Sequence, residues 1–121
     1  MTVNILGTEY TIIEETEDIN PKLKDANGLC EVYEKVISVV PEDEYVKEPN
    51  AFNNIRAFYN KVLRHEIIHA FFAESGLRNN SDFAENEELV DWIAIQFPKI
   101  AKAFKELGIE EWVATIAIGV K

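Results

Sequence analysis

The stretch His65-Glu66-Ile67-Ile68-His69 lies within residues 53–75, where apolar side chains recur at steps of three and four. That spacing is typical of an α-helix, and two histidines four positions apart then share one face, about 40° apart around the axis. Both imidazoles can therefore reach a single divalent cation. We expect Glu66, next to that face, to reach a water molecule on the same cation, which is the arrangement of a zinc peptidase.

The alternative is an exposed helical turn with two solvated histidines. The chain contains no histidines other than His65 and His69, and their sequence neighbours are apolar, so we expect a largely buried helix. A buried imidazole needs a partner at each ring nitrogen, and a metal ion supplies one. The context therefore favours a metal site. The apolar neighbours are Val62, Leu63, Ile67, Ile68, Ala70, Phe71 and Phe72.

A catalytic zinc site needs a third protein ligand and leaves its fourth position to water. Because both histidines are already ligands and Cys30 is distant in sequence, the third ligand has to be a carboxylate. The next predicted helix carries Glu87 and Asp91 on one face; we predict that Glu87 binds the metal and that Asp91 accepts a hydrogen bond from a ligating histidine. Glu88 is the substitute ligand if this helix is rotated by one residue. A solvated acidic helix N-terminus is the alternative to any ligand role.

His65-Glu66-x-x-His69 followed by Asn86-Glu87-x-x-x-Asp91 resembles the paired helix motifs of the gluzincin metallopeptidases, the thermolysin-like group. The short chain and the predicted hairpins before the helix resemble the small gluzincin-like domains of phages and mobile elements, related to the ImmA/IrrE family. The resemblance covers residues 28–97. It implies a zincin-like fold that binds Zn²⁺, with the first motif on the central helix. The resemblance implies that His65, His69 and Glu87 are zinc ligands. It also implies that Glu66 is the general base and that Asp91 is the hydrogen-bond partner of a ligating histidine.

The resemblance implies a zinc-dependent endopeptidase that hydrolyses peptide bonds of a specific protein substrate, with Glu66 activating a zinc-bound water. The chain departs from thermolysin-type gluzincins because it has no third histidine to stabilise the oxyanion. A tyrosine, an arginine or the metal alone would have to do so. The candidate tyrosines are Tyr33, Tyr45 and Tyr59, and the arginines near the motif are Arg64 and Arg78, which are most often ordinary surface charges.

Two other functions compete with the peptidase. One is a catalytically silent zincin-fold module of a phage or mobile element that binds a partner protein, and the other is a structural zinc domain. The intact Glu66 favours the enzyme over the silent module, since a binding module has no need of a general base. A structural site needs four protein ligands, and only three good ones are visible in the sequence.

The sequence predicts one α+β domain over residues 1–121, with a small antiparallel or mixed N-terminal sheet packed on two to three helices. Strand-forming runs bounded by turn residues predict the four strands, two in each of two hairpins. One helix should end at Gly76, and the next should be kinked or interrupted at Pro98. The strands are predicted at residues 2–6, 10–14, 28–33 and 36–40, and the helices at 53–75 and from 81 or 85 to 107.

Two segments are open to more than one interpretation. Residues 36–40 are our candidate for an exposed sheet edge along which an extended substrate pairs, although an interior strand fits the sequence equally well. Residues 109–121 fit a strand or a short buried helix.

The composition argues against several partners. The chain has 12 basic and 22 acidic residues, a formal net charge of -10, which opposes binding to nucleic acid or to an anionic membrane. The single Cys30 cannot form an internal disulfide, and the chain shows no signal sequence or membrane-spanning apolar run. We therefore expect the protein to be located in a reducing cytoplasm. A peptide or protein is the expected substrate.

Overall fold

A computed structural model of the chain describes residues 1–48 and 53–111. Within them the fold is α+β, as predicted: a four-stranded sheet formed by the N-terminal third, followed by three α-helices. Short 3-10 turns precede β3 and connect the two long helices. The elements are β1 (Thr2–Ile5), β2 (Thr8–Glu14), β3 (Gly28–Glu31), β4 (Val36–Val39), α1 (Glu42–Tyr45), α2 (Ile55–Glu74) and α3 (Glu87–Glu106).

The sheet is mixed, with strand order β1-β2-β4-β3. Strands β1 and β2 form one antiparallel hairpin and β3 and β4 another, while β2 and β4 are parallel, with Thr11 opposite Val36. The first hairpin turns at Leu6 and Gly7, whose φ angles of 51° and 92° are those that a two-residue hairpin loop requires. Both predicted hairpins are therefore confirmed, with strand ends shifted by one or two residues.

The expectation that residues 36–40 form the sheet edge is wrong, because β4 lies between β2 and β3. Ile37 and Val39 are fully buried in the core, and Ser38, which points to the opposite face, is buried as well. The Ser38 hydroxyl is satisfied by donating to a carboxylate oxygen of Glu15 at 2.7 Å. The two edge strands are β1 and β3.

Helix α2 begins and ends as its sequence predicts. The Asn54 side chain accepts a hydrogen bond from the backbone N–H of Ala57 at 3.1 Å, and Gly76, with φ 84°, follows the C-terminus in the left-handed conformation. However, only one stripe of the helix is buried, not most of its surface. The opposite face, which includes Phe71 at 41% exposure, lines an open apolar groove against α3. The buried stripe consists of Tyr59, Val62, Glu66 and Ala70.

Helix α3 begins later than expected, because residues 82–85 form a 3-10 turn. Its N-cap is Asn86, whose side chain accepts from the backbone N–H of Leu89 at 2.8 Å. Pro98 does not interrupt the helix, which continues to Glu106. A proline has no N–H, so the carbonyl of Ala94 four residues earlier lacks its helical partner. The Arg64 side chain of α2 donates its Nε–H to that carbonyl at 2.7 Å.

The spacing of Leu89, Val90, Ile93 and Phe97 in the sequence predicts a buried stripe on α3. Of these only Val90 is buried, together with Ala94, while Phe97 is 48% exposed. The other apolar side chains face the open groove or solvent because no described element covers this side of α2 and α3.

None of the described helices combines the length and the apolar character needed to cross a membrane. Residues 112–121, most of the segment for which a strand and a helix fit equally well, lie outside the described residues.

Candidate metal centre

The candidate site is formed where the N-terminal turn of α3 packs against the middle of α2. Because Asn86 caps α3, Glu87 is the first residue of that helix and Asp91 lies one turn further on the same face. Histidines 65 and 69 lie one turn apart on α2, with ring centroids 4.9 Å apart. The four side chains that the two helix motifs singled out are therefore brought together.

One carboxylate bridges the two imidazoles. The Nε2 atom of His65 is 2.9 Å from Oε2 of Glu87, and the Nε2 atom of His69 is 2.9 Å from Oε1 of the same residue. One ligand-type atom from each of the three residues lies within 4.8 Å of the other two. Glu88, the substitute in the sequence prediction, does not belong to this group.

The proton count at His65 indicates that the arrangement suits a cation. Its Nδ1 atom lies 3.0 Å from Oδ1 of Asp91, so both ring nitrogens face carboxylate oxygens. A neutral imidazole carries only one N–H. If Nδ1–H donates to Asp91, the lone pair of Nε2 points at the negative Glu87. Either a second proton on the ring or a metal ion between Nε2 and the carboxylate removes that conflict, so the three residues fit a divalent cation.

Asp91 is held in the ionised form, which is the form that accepts a hydrogen bond from Nδ1–H of His65. Lys61 donates to its Oδ1 at 3.0 Å, on the same oxygen that faces His65. Burial alone raises the pKa of Asp91, but the hydrogen bonds from Lys61 and His65 outweigh it and bring that pKa below its usual value. Burial lowers the pKa of His69, against the opposing charge of Glu87. The neutral form that binds metal ions is thereby favoured.

Glu66 lies on the buried stripe of α2, beneath β3, with 8% of its surface exposed. The contact with β3 is close because residue 28 is a glycine. A Cβ at that position would lie 3.0 Å from Cγ and 3.1 Å from Oε2 of Glu66. Burial raises the pKa of Glu66 to about 7, although the charges of His65 and Lys61 oppose this. A carboxyl group with such a pKa can both accept and return a proton near neutrality.

A cavity of about 430 Å³ opens above these side chains. It is bounded by α2, by the start of α3 and by the edge strand β3, and it contains Glu66 together with the three candidate metal ligands. Gly28 and Arg78 are among the other residues that line it, and sequence reasoning assigned neither of them to the cavity. A lone glycine in a predicted strand was a usable signal for a close backbone approach; nothing in the sequence distinguishes Arg78 from other surface arginines.

The three tyrosines considered for oxyanion stabilisation lie elsewhere. Tyr33 is 88% exposed, and the Tyr59 hydroxyl donates to Oε2 of Glu14 at 2.6 Å. Tyr45 lines a different cavity, and burial raises its pKa to about 12. Among the described residues that line the cavity containing Glu66, none is a tyrosine. Arg64 does not line this cavity, and its Nε–H donates to the Ala94 carbonyl.

Comparison of the chain with models of known protein families, with curated proteins and with solved structures finds no match. The resemblance to gluzincins therefore depends on the two helix motifs alone.

Proposed function

We propose that this protein is a zinc-dependent endopeptidase with a zincin-like fold, acting on a protein substrate in the cytoplasm. The observation that carries the proposal is the convergence of His65, His69 and Glu87, with ligand atoms within 4.8 Å of one another, beside a buried glutamate at the floor of an open cavity. These three residues would hold the zinc ion. Bound zinc would supply the Lewis acidity that polarises a water molecule and the substrate carbonyl.

Glu66 acts as the general base. Its carboxylate takes a proton from the attacking water and passes it to the nitrogen of the departing amine, so that the residue ends the cycle as it began. The buried position under Gly28 supports this role, because it fixes the side chain and raises its pKa to about 7. Asp91 holds the ring of His65 through Nδ1, 3.0 Å away, which leaves Nε2 directed to the metal position.

The edge of β3 provides a place for the substrate backbone. β3 pairs with β4 on one side, and its other side borders the cavity, which Gly28, Leu29 and Cys30 line. An extended peptide can add to such an edge through main-chain hydrogen bonds, which bring successive peptide groups past a fixed point. Main-chain pairing recognises a polypeptide irrespective of its sequence, which supports a peptide or protein substrate.

Metal analysis and a cleavage assay test the proposal. We expect one zinc per chain after dialysis against the metal and removal of the excess, and cleavage of unstructured protein or peptide substrates. Glu66→Gln should retain zinc and lose cleavage by a factor of 100 or more, about what a general base contributes. Glu88→Gln is the matched control, because Glu88 is exposed and outside the cluster.

The outcomes separate the candidate functions. Zinc binding without cleavage of any substrate by the unaltered protein would favour the silent partner-binding module. Absence of zinc binding would reject both the enzyme and the module built on the same site.

A further inference from the structure

The cavity above Glu66 is one part of a longer cleft along β3. A second cavity, of about 200 Å³, shares Ala26, Gly28 and Glu66 with the first, as well as two of the candidate ligands. The cleft has a cation at each end. Lys61 lines it at the Asn27 end, and Arg78 lines it at the opposite end, near Cys30 and Val32.

The two cations differ in how they are occupied. Lys61 is held by Asp91, with Nζ and Oδ1 3.0 Å apart. The carboxylate paired with Arg78 is that of Glu85, whose Oε1 lies 4.0 Å from Nε. All other lysine and arginine ion pairs among the described residues measure 2.6–3.0 Å. Arg78 therefore has the loosest charge partner of this set.

The other two arginines of the chain have structural roles. Arg56 lies 2.6 Å from Oε1 of Glu42, and Arg64 donates to the carbonyl of Ala94. Arg78, in contrast, lines the cavity that contains Glu66. A guanidinium offers five N–H donors in a planar fork that matches a carboxylate. Among residues 1–48 and 53–111, the one charge partner of Arg78 is Glu85 at 4.0 Å, which leaves much of that capacity unused there.

The backbone that carries Arg78 is held in place by a chain reversal and a hydrogen bond. Gly76, with φ 84°, reverses the chain after α2, and the Asn80 side chain donates to the Gly76 carbonyl at 2.7 Å. The 3-10 turn Leu77–Asn79 is thereby fixed against the end of α2. The positive charge of Arg78 acts on groups in the cavity, because it opposes the increase in the pKa of Cys30 that burial causes.

We propose that Arg78 is a specificity residue that binds a carboxylate of the substrate at the Cys30–Val32 end of the cleft, an inference that rests on the proposed peptidase function. The cation at the other end, Lys61, is held by Asp91. The cleft also carries the carboxylates of Glu66, Glu85 and Glu87, which disfavour an acidic group beside them. The preference is accordingly for one acidic residue at one fixed distance from the scissile bond. The substrate carboxylate can belong to an aspartate or glutamate side chain or to a peptide C-terminus.

Peptide binding to zinc-loaded Glu66→Gln tests this without requiring turnover. Fluorescent peptides are compared in pairs that differ only by Glu or Gln at one position, and in pairs with a free or an amidated C-terminus. We expect one pair to differ about tenfold or more in Kd, the effect of a hydrogen-bonded charge. Adding Arg78→Gln should remove that difference while the neutral peptide keeps its affinity, and Arg78→Lys should keep part of it. Arg56→Gln is the control and should change nothing.

The pair that responds identifies the source of the carboxylate, a side chain or the C-terminus. A preference for the acidic peptide that survives Arg78→Gln would overturn the proposal, and so would equal binding of every pair. Failure of the proposed function gives a different result, since the unaltered protein would then leave the same peptides uncut whatever their affinity.

Discussion

Replacing Arg64 with methionine should destabilise the protein through a carbonyl on the neighbouring helix. Ala94 is completely buried, and its carbonyl has lost its helical partner because residue 98 is a proline. The Nε–H of Arg64, 2.7 Å away, replaces that partner. Methionine keeps most of the apolar stem of arginine but has no donor. We therefore expect a loss of about 2 kcal/mol in the free energy of unfolding, the effect of a hydrogen bond from a charged donor to a buried acceptor.

The assay is urea unfolding of the metal-free protein at neutral pH, followed by tryptophan fluorescence. Arg56→Met is the matched control, because it removes a guanidinium whose side chain is 68% exposed and paired with Glu42. Such surface pairs contribute less than about 1 kcal/mol. Both variants lose one positive charge, so a difference between them reports on the Ala94 carbonyl and not on net charge.

The decisive comparison is a double-mutant cycle with Pro98→Ala. Alanine at position 98 supplies the N–H that the Ala94 carbonyl lacks as a helical partner. Arg64→Met should therefore cost about 1 kcal/mol less in that background than in the unaltered protein. Equal costs in both backgrounds would show that Arg64 does not act through the Ala94 carbonyl. Because this bond ties α2 to α3 next to His65 and close to Asp91, Arg64→Met should also weaken zinc binding, whereas Arg56→Met should not.

Three further predictions concern the site itself. Asp91→Asn should weaken zinc binding by about 10–100-fold in a competition titration, because the His65 ring loses the charge that orients it, while Glu88→Gln should have no effect. Gly28→Val should reduce kcat and leave zinc content unchanged, because its side chain would displace Glu66, the Cβ alone lying 3.0 Å from Cγ; unchanged kcat would contradict the contact. In metal-free protein, burial raises the pKa of Glu66 to about 7, so the folded state holds a proton that the unfolded state releases above about pH 4.5. The free energy of unfolding should consequently fall between pH 4.5 and pH 7 by up to about 3 kcal/mol relative to Glu66→Gln, as measured by urea unfolding across that range; parallel pH profiles for the two proteins would contradict the shift.

The sequence was informative where the determinants are local. The caps and the helical spacing of α2 predicted its ends, and the motif Asn86-Glu87-x-x-x-Asp91 predicted which side chains of α3 face His65. A cap, a stripe and a four-residue spacing involve only neighbours in the chain. That is why the α+β class and the four clustered side chains could be predicted without knowledge of how distant segments pair.

The features that could not be predicted depend on contacts between distant segments. Strand order placed β4 inside the sheet and β3 at its edge, although the β-branched run of β4 is equally compatible with an edge position. The continuation of α3 through Pro98 depends on Arg64, 34 positions away by residue number. Phe71 and Phe97 were expected in the core from their spacing alone, yet no described element covers them.

Anomalous diffraction at the zinc absorption edge, from crystals of the protein grown with zinc, would locate a zinc ion between α2 and α3 and identify its ligands. We expect one strong peak bonded to Nε2 of His65, Nε2 of His69 and a carboxylate oxygen of Glu87, at about 2.0–2.2 Å, with the remaining position open to solvent. A peak with four protein ligands, or crystals with no zinc between α2 and α3, would contradict this expectation.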